Sequence, residues 1–100
     1  MIRGTTPSHI FQLPFNTDTL KEIRISYAQD DIVIVEKTTE DCTLEADTIT
    51  VKLTQEETLK FIHGKTAKIQ LKVKLLDGNT LATYPLRVDV GEILNEEVLE

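Results

Sequence analysis

The sequence predicts an all-β domain built as an antiparallel β-sandwich. Three observations carry that expectation. First, Lys68-Ile-Gln-Leu-Lys-Val-Lys-Leu75 alternates Ile69, Leu71, Val73 and Leu75 with Lys68, Gln70, Lys72 and Lys74. A period of two puts one set against a core and the other in water. Second, short apolar segments recur along the chain between turn residues such as Leu76-Asp-Gly-Asn-Thr80. Third, the period changes only once with conviction, at Thr54-Gln-Glu-Glu57, where the spacing is that of a capping box.

The elements follow in order. Residues 1–7 are polar and read as a flexible arm. Ser8 to Phe15 is a first strand with Phe11, Leu13 and Phe15 on one face; Pro14 marks an edge or a strand end. Asn16-Thr-Asp-Thr19 is turn material. Glu22 to Ala28 is a second strand, with Ile23, Ile25 and Tyr27 inward. Gln29-Asp30-Asp31 turns the chain. Ile32-Val-Ile-Val35 is apolar at every position, which predicts a central third strand covered on both faces.

Glu36 to Asp41 is polar. Cys42-Thr-Leu44 is a short fourth strand, and Ile49, Val51 and Leu53 alternate with polar residues in a fifth. The parity slip between Leu44 and Ile49 demands a turn at Glu45-Ala-Asp47. The helix that Thr54 and Glu57 cap lasts barely two turns and stops by Gly64. Ala67 to Leu76 is the sixth strand. The seventh runs from Thr80 to Val90, with Tyr84, Leu86, Val88 and Val90 on the core side. Leu81 is out of register with them, so a bulge is expected near Ala82-Thr83, with Pro85 outward. About seven strands, with a short helix between strands five and six, is an immunoglobulin-like order, although the cysteine pair and the tryptophan of that fold are missing. A small jelly roll or partly open barrel is the structural alternative.

One hundred residues make a single domain, 1–100. Only five are aromatic, so the core rests on Ile, Val and Leu. The net charge of −6 disfavours nucleic acid and anionic membranes as partners. Lys65, Lys68, Lys72 and Lys74 read as the solvated face of a strand, where lysine also discourages edge-to-edge pairing. With Cys42 alone there is no internal disulfide. Met1 to Pro7 lacks the apolar region of a signal peptide, and no apolar run is long enough for a membrane span, so the expected place of synthesis is the cytosol.

Residues with chemical potential resolve into structural roles. His9 and His63 have no second ligand at metal spacing. Cys42 lacks an activating base nearby in sequence and reads as a small strand residue. Asp30-Asp31 and Asp77-Gly78-Asn79 have oxygen ligands but match no calcium loop, and turn chemistry accounts for both. Glu56-Glu57 and Glu96-Glu97 are adjacent pairs that cannot face each other. The sequence therefore predicts no enzyme, no cofactor and no metal. The segment 92–100 places Ile93, Leu94, Val98 and Leu99 among acids; it reads either as a frayed terminus with incidental apolar residues or as a docking tail whose four side chains bury against a neighbouring subunit.

Several stretches together carry a resemblance: Thr6-Pro-Ser-His-Ile-Phe-Gln-Leu-Pro-Phe15, Tyr27-Ala-Gln29, Thr38-Thr-Glu-Asp-Cys-Thr-Leu44, Leu53-Thr-Gln-Glu-Glu-Thr-Leu59 and Val88-Asp-Val-Gly-Glu-Ile-Leu94. In order and spacing the chain resembles small prophage structural proteins of Gram-positive bacteria. These are similar in turn to the N-terminal sandwich domain of phage baseplate upper proteins. The resemblance implies a non-enzymatic virion structural or assembly protein of the tail or baseplate region. Its partners would be other phage structural proteins or itself, as a homo-oligomer. The alternative expectation is a monomeric carbohydrate- or peptide-binding module, which would need an exposed aromatic platform or a deep groove.

Overall fold

A computed structural model describes residues 1–92 together with Leu94 and Val98. The structure is mostly antiparallel β, in two sheets. The smaller sheet has the order β1-β5-β4, from β1 (Ser8–Gln12), β4 (Cys42–Glu45) and β5 (Thr48–Lys52). The larger joins β3 (Ile32–Thr38), β2 (Leu20–Gln29), β6 (Thr66–Leu75) and β7 (Thr80–Ala82), with β8 (Leu86–Asp89) also on β6. A helix, α1 (Gln55–Leu59), lies between β5 and β6. Short 3₁₀ turns at Thr17–Thr19 and Thr39–Asp41 join the strands. No helix among the described residues is long and apolar enough to cross a membrane.

The alternation in the sequence becomes the core. Ile23, Ile25 and Tyr27 of β2 are buried, as are Ala67, Ile69, Leu71 and Val73 of β6. From the smaller sheet come Phe11, Ile49 and Val51, with Leu53 just beyond β5; residues of both sheets form one cluster. β2 and β6 are the spine of the larger sheet, paired from Leu20↔Leu75 to Ala28↔Lys68. The capping box forms: Thr54 Oγ1 accepts from the Glu57 amide at 3.1 Å, and Glu57 Oε1 accepts from the Thr54 amide at 2.8 Å.

Several expectations are corrected. In an immunoglobulin sandwich the second strand lies with the first, fourth and fifth. Here it pairs with the third and sixth instead, so the strand order differs. β3 is an edge strand rather than a central one. Its apolar run spans a bulge, where Val33, Ile34 and Val35 face only Ala28 and Tyr27, and Ile34 is the extra residue. The bulge resets the parity, leaving Ile32 and Val33 exposed and putting Val35 and Lys37 inside. Gly64 does not end the helix, which stops at Leu59 with Lys60 as its cap; Gly64 has φ 78° in the loop that follows.

The arm 1–7 is tied to the body. Its amide and carbonyl groups pair across to Gly91, and Leu53 donates to Pro7 O at 3.0 Å. Thr58, fully buried, donates its hydroxyl to Thr5 O at 2.8 Å. Gln29 is a latch the turn chemistry concealed. It is buried, donates Nε2 to Ile62 O at 2.9 Å, and accepts the Ile62 amide on Oε1 at 2.8 Å. It thereby fixes the loop between α1 and β6.

Candidate interaction surface

The seventh strand is interrupted, and the interruption shapes the surface. β7 pairs Lys72↔Ala82 and β8 pairs Ile69↔Leu86, so Thr83, Tyr84 and Pro85 face only Leu71 and Gln70. That is the expected bulge of one extra residue. Thr83 keeps the ladder satisfied: its amide donates to Leu71 O at 2.9 Å, and its hydroxyl accepts the Leu71 amide at 3.1 Å. Pro85 has no N–H to continue the ladder. Tyr84 is therefore carried out into solvent, 93% exposed, and not onto the core side.

Leu81 lies across from Val73 and Leu86 from Ile69, so register places both on the core face. No described strand lies beyond them, and they stay 46% and 54% exposed. No charged residue occurs from Asn79 to Leu86. From Asn79 to Leu86 the edge is thus uncharged and uncovered, and Arg87 and Asp89 follow within β8.

A groove opens beside it. Pro14 ends β1, and the chain from Leu13 to Phe15 is held by Leu13 N donating to Asp47 O at 2.8 Å and Thr17 N to Ala46 O at 2.7 Å. This segment faces β7 across a hollow of about 150 Å³, lined chiefly by Leu13, Phe15, Leu71, Val73 and Leu81. Its walls come from the larger sheet and from the segment that follows β1. A cavity of that size and lining accepts one small apolar group.

Cations stand on the outer face of the same sheet. Lys72 and Lys74 sit one residue either side of Val73, and neither makes an ion pair with a described residue. Arg24, across from Lys72, is engaged by Glu22 at 3.3 Å and Glu36 at 3.1 Å. Lys72 and Lys74 line a different hollow with Glu22 and Arg24, on the face of the sheet away from the apolar groove.

Of the residues expected to dock, Ile93 and Leu99 lie outside the described residues. Leu94 is 99% exposed. Val98 is half-buried and lines a separate hollow with Thr6, Leu53 and Gln55 of its own chain. The four residues are therefore not seen as one patch.

The polar interior lies on the opposite side. Lys37 points inward and meets Glu57 at 2.7 Å, with side chains 10% and 20% exposed. Burial alone would raise the Glu57 pKa, but the bonds from Lys37 and from the Thr54 amide outweigh it, and the carboxyl titrates below its ordinary value. Tyr27 is hydrogen-bonded to His9 Nδ1 at 2.8 Å and packs edge-on to Phe61. Burial raises the Tyr27 pKa, and burial together with the N-terminal charge lowers that of His9, so the pair is neutral.

Cys42 is half-buried, and burial pushes its thiol up, away from the thiolate a nucleophile requires. Asp77 accepts the Asn79 amide at 2.9 Å in a turn, and Asp30 and Asp31 adopt positive φ in theirs. No group of His, Cys, Asp or Glu among the described residues is arranged to hold a metal. These groups build the interior and the turns, and the uncovered chemistry is the apolar edge.

The chain matches no family model, no curated protein and no solved structure.

Proposed function

We propose that this chain is a non-enzymatic structural or assembly protein of the tail or baseplate region of a phage or prophage. It acts through protein–protein contacts, with itself or with neighbouring structural proteins. It is made in the bacterial cytoplasm and enters the virion. The observation that carries this reading is the β7–β8 edge: Leu81, Tyr84 and Leu86 exposed together, uncharged, beside an apolar groove. Exposed apolar groups gathered along an edge mark contact surfaces. Resemblance to small prophage proteins supplies the biological setting. The two layers are read as a β-sandwich; its kinship with immunoglobulin domains is limited to strand number and to the short helix between β5 and β6.

The test is to induce prophages in the source bacterium, purify the particles and quantify this chain by peptide mass spectrometry. A fixed ratio to the major tail protein is expected. Absence from intact particles, with the chain abundant in the lysate, would overturn the virion assignment.

One observation favours a second reading, a carbohydrate- or peptide-binding module. Tyr84 is bare and could stack on a sugar ring or a peptide. It is the only aromatic side chain exposed among the described residues, whereas a stacking platform is usually shared by several. A glycan array on which wild type binds and Tyr84→Ala does not would favour that module; an array without hits would remove its carbohydrate form.

A further inference from the structure

We infer that the hydrogen bond between His9 and Tyr27 is an acid-sensitive latch between the two sheets: protonation of His9 breaks it and releases β1 from the larger sheet. The inference goes beyond the proposed assembly function and does not rest on it. His9 Nδ1 lies 2.8 Å from the Tyr27 hydroxyl, with ring centroids 5.5 Å apart. Among the described residues this is the only hydrogen bond between side chains on strands of different sheets. The other link, from Cys42 Sγ to Thr38 O at 3.4 Å, spans only four residues where β3 passes into β4.

The bond has one workable direction. Tyr27 is fully buried, and His9 is the only partner of its hydroxyl among the described residues. The hydroxyl therefore donates to a neutral Nδ1, and the ring carries its own proton on Nε2. Protonation makes both ring nitrogens donors. The Tyr27 proton then has no acceptor, and a buried donor left unpaired is costly.

The surroundings offer no compensation. The sheet neighbours of Tyr27, Val35 and Ile69, are apolar, and so is Val51 beside His9. Cys42 of β4 stands one strand beyond Val51, with its thiol held neutral. Glu57 of α1 also acts on Tyr27, but Lys37 of β3 meets its charge at 2.7 Å. From the arm, the Met1 ammonium donates to Asp89 O at 2.7 Å and opposes a second cation at His9. Burial and that charge hold the His9 pKa below its ordinary 6.5, so the opened state binds more protons in that interval. The latch is complete above pH 6.5 and weakens as pH falls through it toward the folded value. Leu13–Phe15 follows β1 directly and lines the groove beside β7, so release of β1 also loosens that wall.

Hydrogen exchange of the full-length protein, corrected for intrinsic rates, is compared at about pH 7 and about pH 5. Both values lie above the interval in which Glu57 titrates. The expected result is that amides of β1 and β5 open at least about threefold more readily at the lower pH, while those of β2 and β6 do not. His9→Gln keeps an acceptor and loses the titration, so it should abolish the difference. Tyr27→Phe removes the bond and should reduce it. Parallel change in all strands, or the full difference surviving in either variant, would overturn the latch. Should a variant fail to fold, NMR titration of the wild-type His9 ring decides. A midpoint that tracks the opening of β1 supports the inference, and a midpoint unrelated to it overturns it.

Discussion

The two edges of the larger sheet are built in opposite ways. At β3, charge is used on both faces. Lys37 points into the interior and is neutralised by Glu57, while Glu36 faces out toward Arg24. An inward charge is a device that discourages a foreign strand from adding to an edge. Ile32 and Val33 are bare only at the hairpin end, next to Asp30 and Asp31. At β7 and β8 there is no charge from Asn79 to Leu86, and a bulge with a proline turns Tyr84 outward. One edge is guarded by charge and the other is uncharged from Asn79 to Leu86 and uncovered. The same β2–β6 spine supports both, so the difference lies in side chains and not in backbone order.

Breaking the guarded edge should have one of the two largest effects. Lys37→Ala leaves the largely covered Glu57 carboxylate, 20% exposed, without its cation and is expected to cost about 3 kcal/mol in urea unfolding. Replacing both partners with apolar residues, Lys37→Met with Glu57→Leu, should recover most of that loss. If the double variant is no more stable than Lys37→Ala, the penalty does not come from an unpaired charge.

The next effect compares the floor of the open edge with its rim. Leu71 is buried and Leu81 half-exposed on the neighbouring strand. Leu71→Ala should cost about 2–5 kcal/mol, whereas Leu81→Ala should change stability by less than about 1 kcal/mol. Equal losses in chemical denaturation would mean that Leu81 belongs to the core and is not available to a partner.

Thr54→Ala should cost about 1 kcal/mol by removing the cap of α1. Fluorescence-free unfolding by circular dichroism suffices, because the chain has no tryptophan.

The smallest effect is in pH. Folding lowers the Glu57 pKa below its ordinary 4.5, so the unfolded state binds more protons in that interval. Its contribution is complete above that value and drains away as pH falls through 4.5 toward the folded pKa. Glu57→Gln should flatten that part of the stability profile. Leu81→Glu sits far from this pair in the sheet order and should retain the wild-type Glu57 slope, on top of whatever its own new carboxyl adds.

Local periodicity made the core legible. Ile23, Ile25 and Tyr27, then Ile49, Val51 and Leu53, then Ile69, Leu71 and Val73 are buried where alternation puts them. The capping box and the bulge after Ala82 are also short-range features, and both are present. Position across a sheet is different, because it depends on which strands become neighbours. Nothing in Ile32-Val-Ile-Val35 reveals that its second neighbour is missing, or that a bulge exposes half of the run. The burial of Lys37 depends on Glu57, twenty residues away. Tyr84 obeys the alternation of β8 on paper, but it falls in the break between Ala82 and Leu86, with Pro85 just after it. The groove joins Leu13–Phe15 to Leu71 and Leu81, segments that only the packed sheets bring together.

The central claim, that the β7–β8 edge and not the β3 edge meets a partner, is tested most directly by hydrogen exchange of the full-length protein at low and high concentration. The account predicts that amides from Leu81 to Leu86 exchange more slowly as concentration rises, while those of Ile32–Thr38 do not change. Slowing confined to β3, or no dependence on concentration at either edge, would contradict it.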